Sequence, residues 1–198
     1  YEGIEQIQAD DLEYARELGL HLKLIGTAER IGKGLSVRVH PAFLYPGHPL
    51  ATVTGPFNAV TVESEAITEV TMSGPGAGGP QTASAVLGDV ISAMIPPAST
   101  PPTSEMLAIV EDVVSAFYLH LEVADEPGVL AQVARVLADR GVSVKSVVQK
   151  GLGDQARLVM VVHPVLESQF TAAREDIAAL AVLRAPPRAI RVLEEEFG

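Results

Sequence analysis

Residues 115–130 read SAFYLHLEVADEPGVL, and this stretch decides the fold of the second half of the chain. Apolar side chains occupy every second position over 117–123, which is typical of a strand with one buried face. In the turn that follows, Pro127 presets the backbone and Gly128 lets the main chain come close to a ligand. The apolar spacing after Gly128 predicts a helix, whose first N–H groups have no intrahelical partner. We therefore predict a strand, a tight loop and a helix, in that order.

The segments that follow complete a predicted ferredoxin-like fold. The helix should end at Gly141 and bury one apolar stripe, made of Leu130, Val133, Ala134 and Leu137. Apolar patterns then predict strands at 142–148, 156–163 and 182–193, and a helix at 166–180. This order is βαββαβ. The strand at 156–163 is apolar on both faces, so it should be central in its sheet or covered by another chain.

The first half of the chain has a mixed pattern of helix and strand. A short helix capped by Asp10 or Asp11 should end at Gly19, and a glycine-rich loop should lead into a second helix at 82–95. Strand-like segments lie at 21–29, 35–40, 57–63 and 67–73. The predicted fold class is α+β, a partial mixed-sheet domain followed by the ferredoxin-like domain.

Composition and charge narrow the possible functions. The chain has 198 residues, 47% of them hydrophobic, no cysteine and a net charge of −11. Disulfides, thiolate metal sites and thiol nucleophiles are thereby excluded, and a nucleic-acid partner is disfavoured because phosphate binding needs clustered Lys and Arg. No apolar run approaches the ~20 residues of a membrane helix. We expect a soluble, cytoplasmic protein without membrane contact.

The glycine-rich segment 74–79 formally fits G-x-G-x-x-G, between a predicted strand and a predicted helix. Glycines allow close approach of a ligand to the backbone, and a helix N-terminus favours an anion. The acidic residue that completes a dinucleotide fingerprint would fall in the proline-rich stretch 96–104, so two interpretations stay open. The loop either forms a nucleotide site by itself or only contributes to one. The five histidines show no metal-ligand spacing, and no metal site is expected.

The loop sequence DEPGVL at 125–130, together with GVSV at 141–144, resembles an ACT domain, an amino-acid-sensing module of biosynthetic enzymes. In that family the ligand lies between the first strand-to-helix loop and a neighbouring subunit. The resemblance implies effector contacts at Asp125, Gly128, Val129 and Leu130, and self-association through the ACT sheet. A ferredoxin-like domain that only dimerises is the alternative.

The first half carries EGI at 2–4, HPLA at 48–51, FNAV at 57–60, GPGAGG at 74–79 and TASAV at 82–86. In this order and spacing they resemble the C-terminal part of the catalytic region of homoserine dehydrogenase. That family interconverts homoserine and aspartate semialdehyde with NAD or NADP, and its ACT-bearing forms are commonly inhibited by threonine. Gly76, Ala77 and Gly78 would then be the backbone contacts near the cofactor.

The resemblance also predicts what this chain does by itself. The family's nucleotide domain, catalytic lysine and homoserine-binding acidic residues precede the segment that matches YEGI, and none of them maps onto this sequence. We therefore expect a fragment that has no catalytic residue and no dehydrogenase activity of its own. The predicted parts are a catalytic and dimerisation segment at 1–95, a proline-rich linker at 96–114 and an ACT domain at 115–198. A non-catalytic interaction module is the alternative function.

Overall fold

The computed structural model describes residues 1–95, 106–151 and 156–193 and divides the chain into two compact units. One unit joins Tyr1–Pro46 to Leu107–Gly198, and the other is Gly47–Met106. The predicted proline-rich connector at 96–104 lies outside the described residues.

The described residues contain four helices, nine strands and a 3-10 turn at Pro49–Thr52. In chain order they are α1 (Ala9–Glu17), β1 (His21–Ile31), β2 (Gly34–Leu44), β3 (Phe57–Ser64), β4 (Thr68–Pro75), α2 (Gly79–Ala93), β5 (Ala108–Ile109), β6 (Val114–Glu122), α3 (Val129–Asp139), β7 (Val144–Lys150), β8 (Arg157–Leu166), α4 (Glu167–Ala178) and β9 (Arg188–Leu193).

The larger unit is built on one sheet in the order β1-β2-β9-β6-β8-β7, with β5 paired to β2. Strands β9, β6, β8 and β7 are antiparallel neighbours, and with α3 and α4 they give the predicted βαββαβ motif. The α+β fold class is therefore confirmed. Strand β8 lies between β6 and β7, which confirms that the apolar strand predicted at 156–163 is central.

The prediction that β6 is buried on one face only is wrong. Phe117, Leu119 and Leu121 face the core formed with α3 and α4, as expected. Tyr118 and His120 on the opposite face are only 0% and 1% exposed. Helix α1 and the end of β2 cover that face, and this contact joins residues too far apart in sequence for strand periodicity to reveal it.

Two further element predictions need correction. The buried stripe of α3 is Val129, Val133 and Leu137, whereas Leu130 and Ala134 are exposed, so the stripe lies one residue earlier than predicted at its start. The last strand begins at Arg188 instead of 182, because two prolines precede it and proline cannot donate to a strand ladder. Before the prolines only an isolated bridge joins Leu183 to Val123.

The sheet of the larger unit contains strands from both halves of the chain. Strand β2 pairs in parallel with β9, so residues of the first half extend the sheet of the ferredoxin-like motif. Part of the predicted linker is also packed: Ala108 and Ile109 pair with β2, and Val113 is buried. These contacts lie within the segment predicted as a linker, and the boundaries 1–95, 96–114 and 115–198 stay a prediction.

The smaller unit contains the β3–β4 hairpin and α2. Helix α2 begins at Gly79, three residues before the predicted start, with Pro80 in its first turn. Its apolar side chains at Val86, Leu87, Val90 and Ile91 are 52–62% exposed.

Candidate functional site

The loop between β6 and α3 carries the residues that the sequence predicts as effector contacts. Gly128 is the N-cap of α3 and has a φ of +88°, the left-handed region that side chains rarely adopt. The Val129 N–H donates weakly to the Glu126 carbonyl at 3.5 Å, and the Gln132 N–H donates to Gly128 at 3.0 Å. This geometry aims the first-turn N–H groups of α3 at the loop.

A cavity of about 340 Å³ lies at this loop. It brings together all four predicted effector residues, and β7 and β8 contribute one side chain each. The lining residues are Val123, Asp125, Glu126, Pro127, Gly128, Val129, Leu130, Gln149 and Leu158. Sequence reasoning did not find Gln149, because β7 follows the loop only after a complete helix.

The charges around this cavity favour a zwitterion. Asp125 and Glu126 supply the acidic side chains among its lining residues, and neither Lys nor Arg belongs to that set. A carboxylate pair attracts an ammonium group, while the α3 N-terminus attracts an anion through its N–H groups and dipole. An α-amino acid carries both of these groups, an ammonium and a carboxylate.

The predicted cofactor residues lie in an exposed loop between β4 and α2. Gly78 caps α2 with a φ of +133°, and its carbonyl accepts from the Thr82 N–H at 3.0 Å. A Cβ at Gly76 would lie 2.0 Å from Asn58 Nδ2, so a side chain there would require Asn58 to move. Local packing thus already favours glycine at both positions, and Ala77 is exposed between them.

Sequence reasoning missed a buried ion-pair network beneath α1. Asp11, which is 0% exposed, accepts from Arg188 Nε at 3.1 Å and lies 2.8 Å from His120 Nδ1. Arg188 also contacts Asp10 at 2.9 Å and Glu122 at 3.2 Å. The one available signal was a histidine in the middle of an apolar strand, and it did not identify partners more than 100 positions away.

This network is better described as ion pairing than as a metal site. Oxygen and nitrogen atoms of Asp10, His120 and Glu122 lie within 4.8 Å of one another, close enough to be tested as ligands. The Arg188 guanidinium, however, already contacts all three side chains and supplies the cation there.

Of the helices within the described ranges, none is long and apolar enough to cross a membrane.

Comparison with known sequences gives two separate matches. Residues 1–91 match the model of the homoserine dehydrogenase family, and residues 117–182 match that of the ACT domain. Homoserine dehydrogenases from Neisseria gonorrhoeae and Corynebacterium glutamicum are 36% and 37% identical over 96% of this chain. The chain spans about half of those relatives, 47% and 46% of their lengths.

A solved structure of homoserine dehydrogenase from Thiobacillus denitrificans superimposes with a TM-score of 0.87 and 34% identity, over 98% of this chain and 47% of that one. A second, from S. aureus, gives a TM-score of 0.67 at 20% identity and supports the fold alone. The chain therefore combines a segment that matches the homoserine dehydrogenase family, residues 1–91, with an ACT domain, residues 117–182.

Proposed function

We propose that this chain senses an amino acid, with threonine as the effector, at the loop Asp125 to Leu130. The observation that carries the proposal is the cavity itself, which is lined by two acidic residues and by the N-terminal residues of α3. The effector's ammonium group would bind Asp125, and its carboxylate would accept from the N–H groups of Gly128, Val129 and Leu130. The ACT match supports the same ligand class.

The wider role proposed for the chain is that of the C-terminal part of a homoserine dehydrogenase. The whole protein would transfer hydride between NAD or NADP and the homoserine–aspartate semialdehyde pair, in the cytoplasm, on the route to threonine and methionine. Gly76, Ala77 and Gly78 would approach the nicotinamide cofactor through their backbone. The family's catalytic lysine has no counterpart among the motifs matched here, so hydride transfer is not proposed for these residues alone.

Self-association through β7 is part of the proposal. This strand is the last in the sheet order, with Lys145, Val147 and Gln149 exposed. Its free side offers hydrogen-bonding groups to another strand. Gln149 also lines the effector cavity, so a second copy paired there would lie next to the bound amino acid.

Calorimetry with L-threonine tests the sensor role. We expect saturable heat with the 198-residue chain and a large loss of affinity for Asp125→Ala and Gly128→Val. Glu175→Ala, an exposed carboxylate on α4, is the matched control and should bind as wild type does. No heat and no thermal shift at millimolar threonine, with dimerisation intact, would favour the interaction module instead.

A further inference from the structure

A second cavity in the larger unit lies away from the effector loop and shares no residue with it. Its volume is about 290 Å³, close to the ~300 Å³ at which ligand pockets begin. Its walls come from β2, the segment around β5, the start of α4 and β9. We call it the β2 cavity.

Unpartnered polar atoms concentrate at this cavity. Across the described residues, eight buried side-chain nitrogen or oxygen atoms have no hydrogen-bond partner, and six of them belong to residues that line it. They are Ser36 Oγ, Arg38 Nε and Nη1, His40 Nε2, Glu167 Oε2 and Arg191 Nε. Buried polar groups are normally satisfied, so such a cluster calls for a missing partner.

These side chains are held firmly in place. Ser36 and His40 are each 1% exposed, and Arg191 is 6% exposed. Arg38 donates to Glu29 at 2.8 Å, while Arg191 pairs with Glu2 at 2.8 Å and also with Glu167. Because each guanidinium is anchored at one end, its remaining N–H groups are oriented without further loss of rotamer freedom.

A ligand that satisfies the atoms without a hydrogen-bond partner must offer both an acceptor and a donor. The hydrogens of Arg38, Arg191 and Ser36 need an acceptor such as a carboxylate. His40 Nδ1 lies 3.1 Å from the Pro41 carbonyl, which can only accept, so Nδ1 carries the hydrogen and Nε2 is left with its lone pair. Burial, together with Arg191 and Arg38, lowers the pKa of His40, which keeps the ring neutral. Glu167 Oε2 also accepts no hydrogen bond, although it forms an ion pair with Arg38 Nη1 at 4.0 Å.

The charge at the edge of the cavity distinguishes a zwitterion from a simple anion. Glu2 and Glu111 also line it, and both are exposed. These carboxylates would repel phosphate or a plain carboxylate but attract an ammonium group. We propose that the β2 cavity binds a small α-amino acid, with its carboxylate at Arg38 and Arg191 and its ammonium group toward Glu167 and the exposed glutamates.

The test uses L-serine, glycerate and inorganic phosphate as probes of the 198-residue chain. Serine and glycerate share a skeleton, and only serine carries an ammonium group. Binding is followed at the imidazole NMR signal of His40, assigned with His40→Gln, in wild type and in Gly128→Val, which alters the effector loop. We expect saturable shifts with serine in both proteins and affinity at least about tenfold weaker for glycerate and phosphate.

Variants locate the site. Arg38→Gln should weaken serine binding about tenfold by removing a charge-assisted hydrogen bond, and Ser36→Ala should weaken it less. Arg135→Gln, which changes an exposed arginine on α3, is the matched control. Thermal melting of each variant shows whether it has folded, and Ser36→Ala serves if Arg38→Gln has not. The proposal fails if no probe shifts the His40 signal, which would leave water in the cavity, or if glycerate or phosphate binds as tightly as serine.

Discussion

Asp11 is the residue on which the α1 contact depends most. Its carboxylate accepts from the Gln8 N–H at 3.0 Å and from Arg188, and it lies next to His120 and Tyr118. We predict that Asp11→Asn lowers the free energy of unfolding by about 3 kcal/mol, since Arg188 and His120 then lose a fully buried partner. Urea denaturation at neutral pH measures the loss. Asp139→Asn, from the exposed pair with Arg135, should cost at most about 0.5 kcal/mol.

The same carboxyl group predicts a pH dependence. Burial raises the pKa of Asp11, but hydrogen bonds from His120, Gln8 and Arg188 outweigh it and hold the pKa below the ordinary 3.8. A lowered folded-state pKa stabilises the protein at pH values above 3.8, and this contribution is lost as the pH falls through the folded-state pKa. The stability difference between wild type and Asp11→Asn should therefore be constant near neutrality and shrink below pH 3.8. A difference that grows on acidification would contradict this assignment.

A substitution at Gly128 separates the effect of backbone strain from the effect of steric overlap. Nothing lies within 4 Å of a Cβ built at this position, but its φ of +88° is strained for any side chain. Gly128→Ala should therefore cost about 1–2 kcal/mol without a clash. Gly26→Ala in β1 is the matched control, since its φ is ordinary and the nearest atom is 3.9 Å away. Thermal melts of both variants measure the loss of stability. An equal loss in the two variants would show that the positive φ of Gly128 is not the cause.

Individual elements were largely predictable from sequence, whereas their burial was not. Alternation and helical spacing are local signals, and apart from the last strand they located the strands and helices of the ACT domain within a few residues. The second buried face of β6 depends on α1, which precedes it by about 100 positions, and no local period reports such a contact. The loop between β6 and α3 was predictable because proline fixes its own φ and glycine tolerates a positive φ. Gln149 and the Asp11 network became visible only in three dimensions.

Strand β7 carries the prediction on assembly. Val147 is 44% exposed on it, and β7 is the terminal strand of the sheet. If two copies pair along β7, Val147→Lys brings like charges close together and should weaken association about tenfold or more. Sedimentation velocity measures this. Gln132→Lys adds the same charge on an exposed position of α3 and should leave association unchanged. Equal behaviour of the two variants would remove β7 from the interface.

In the larger unit, a single sheet contains strands from the segment that matches homoserine dehydrogenase and strands from the ACT segment. Phe43 of β2 is 0% exposed and packs with Tyr118, Val161 and Ile190 on the α1 side of the sheet. Residues of the first half therefore cover the face of the ACT sheet that does not face α3 and α4. Buried apolar surface of this kind is the main source of folding free energy.

Residues 1–46 and the ACT segment should therefore unfold together. Native-state hydrogen exchange measures this, because it reports an opening free energy for each amide. We predict that amides of β2 paired with β9, around Phe43, exchange with the same free energy as those in the centre of β6 and β8, the value for global unfolding. If the first-half segment instead docked on an independently stable ACT domain, β2 amides would open about 2 kcal/mol or more below that value. Phe43→Ala separates the two cases further, since in a single cooperative unit it lowers the opening free energy of β6 and β8 as much as that of β2, by about 3–5 kcal/mol.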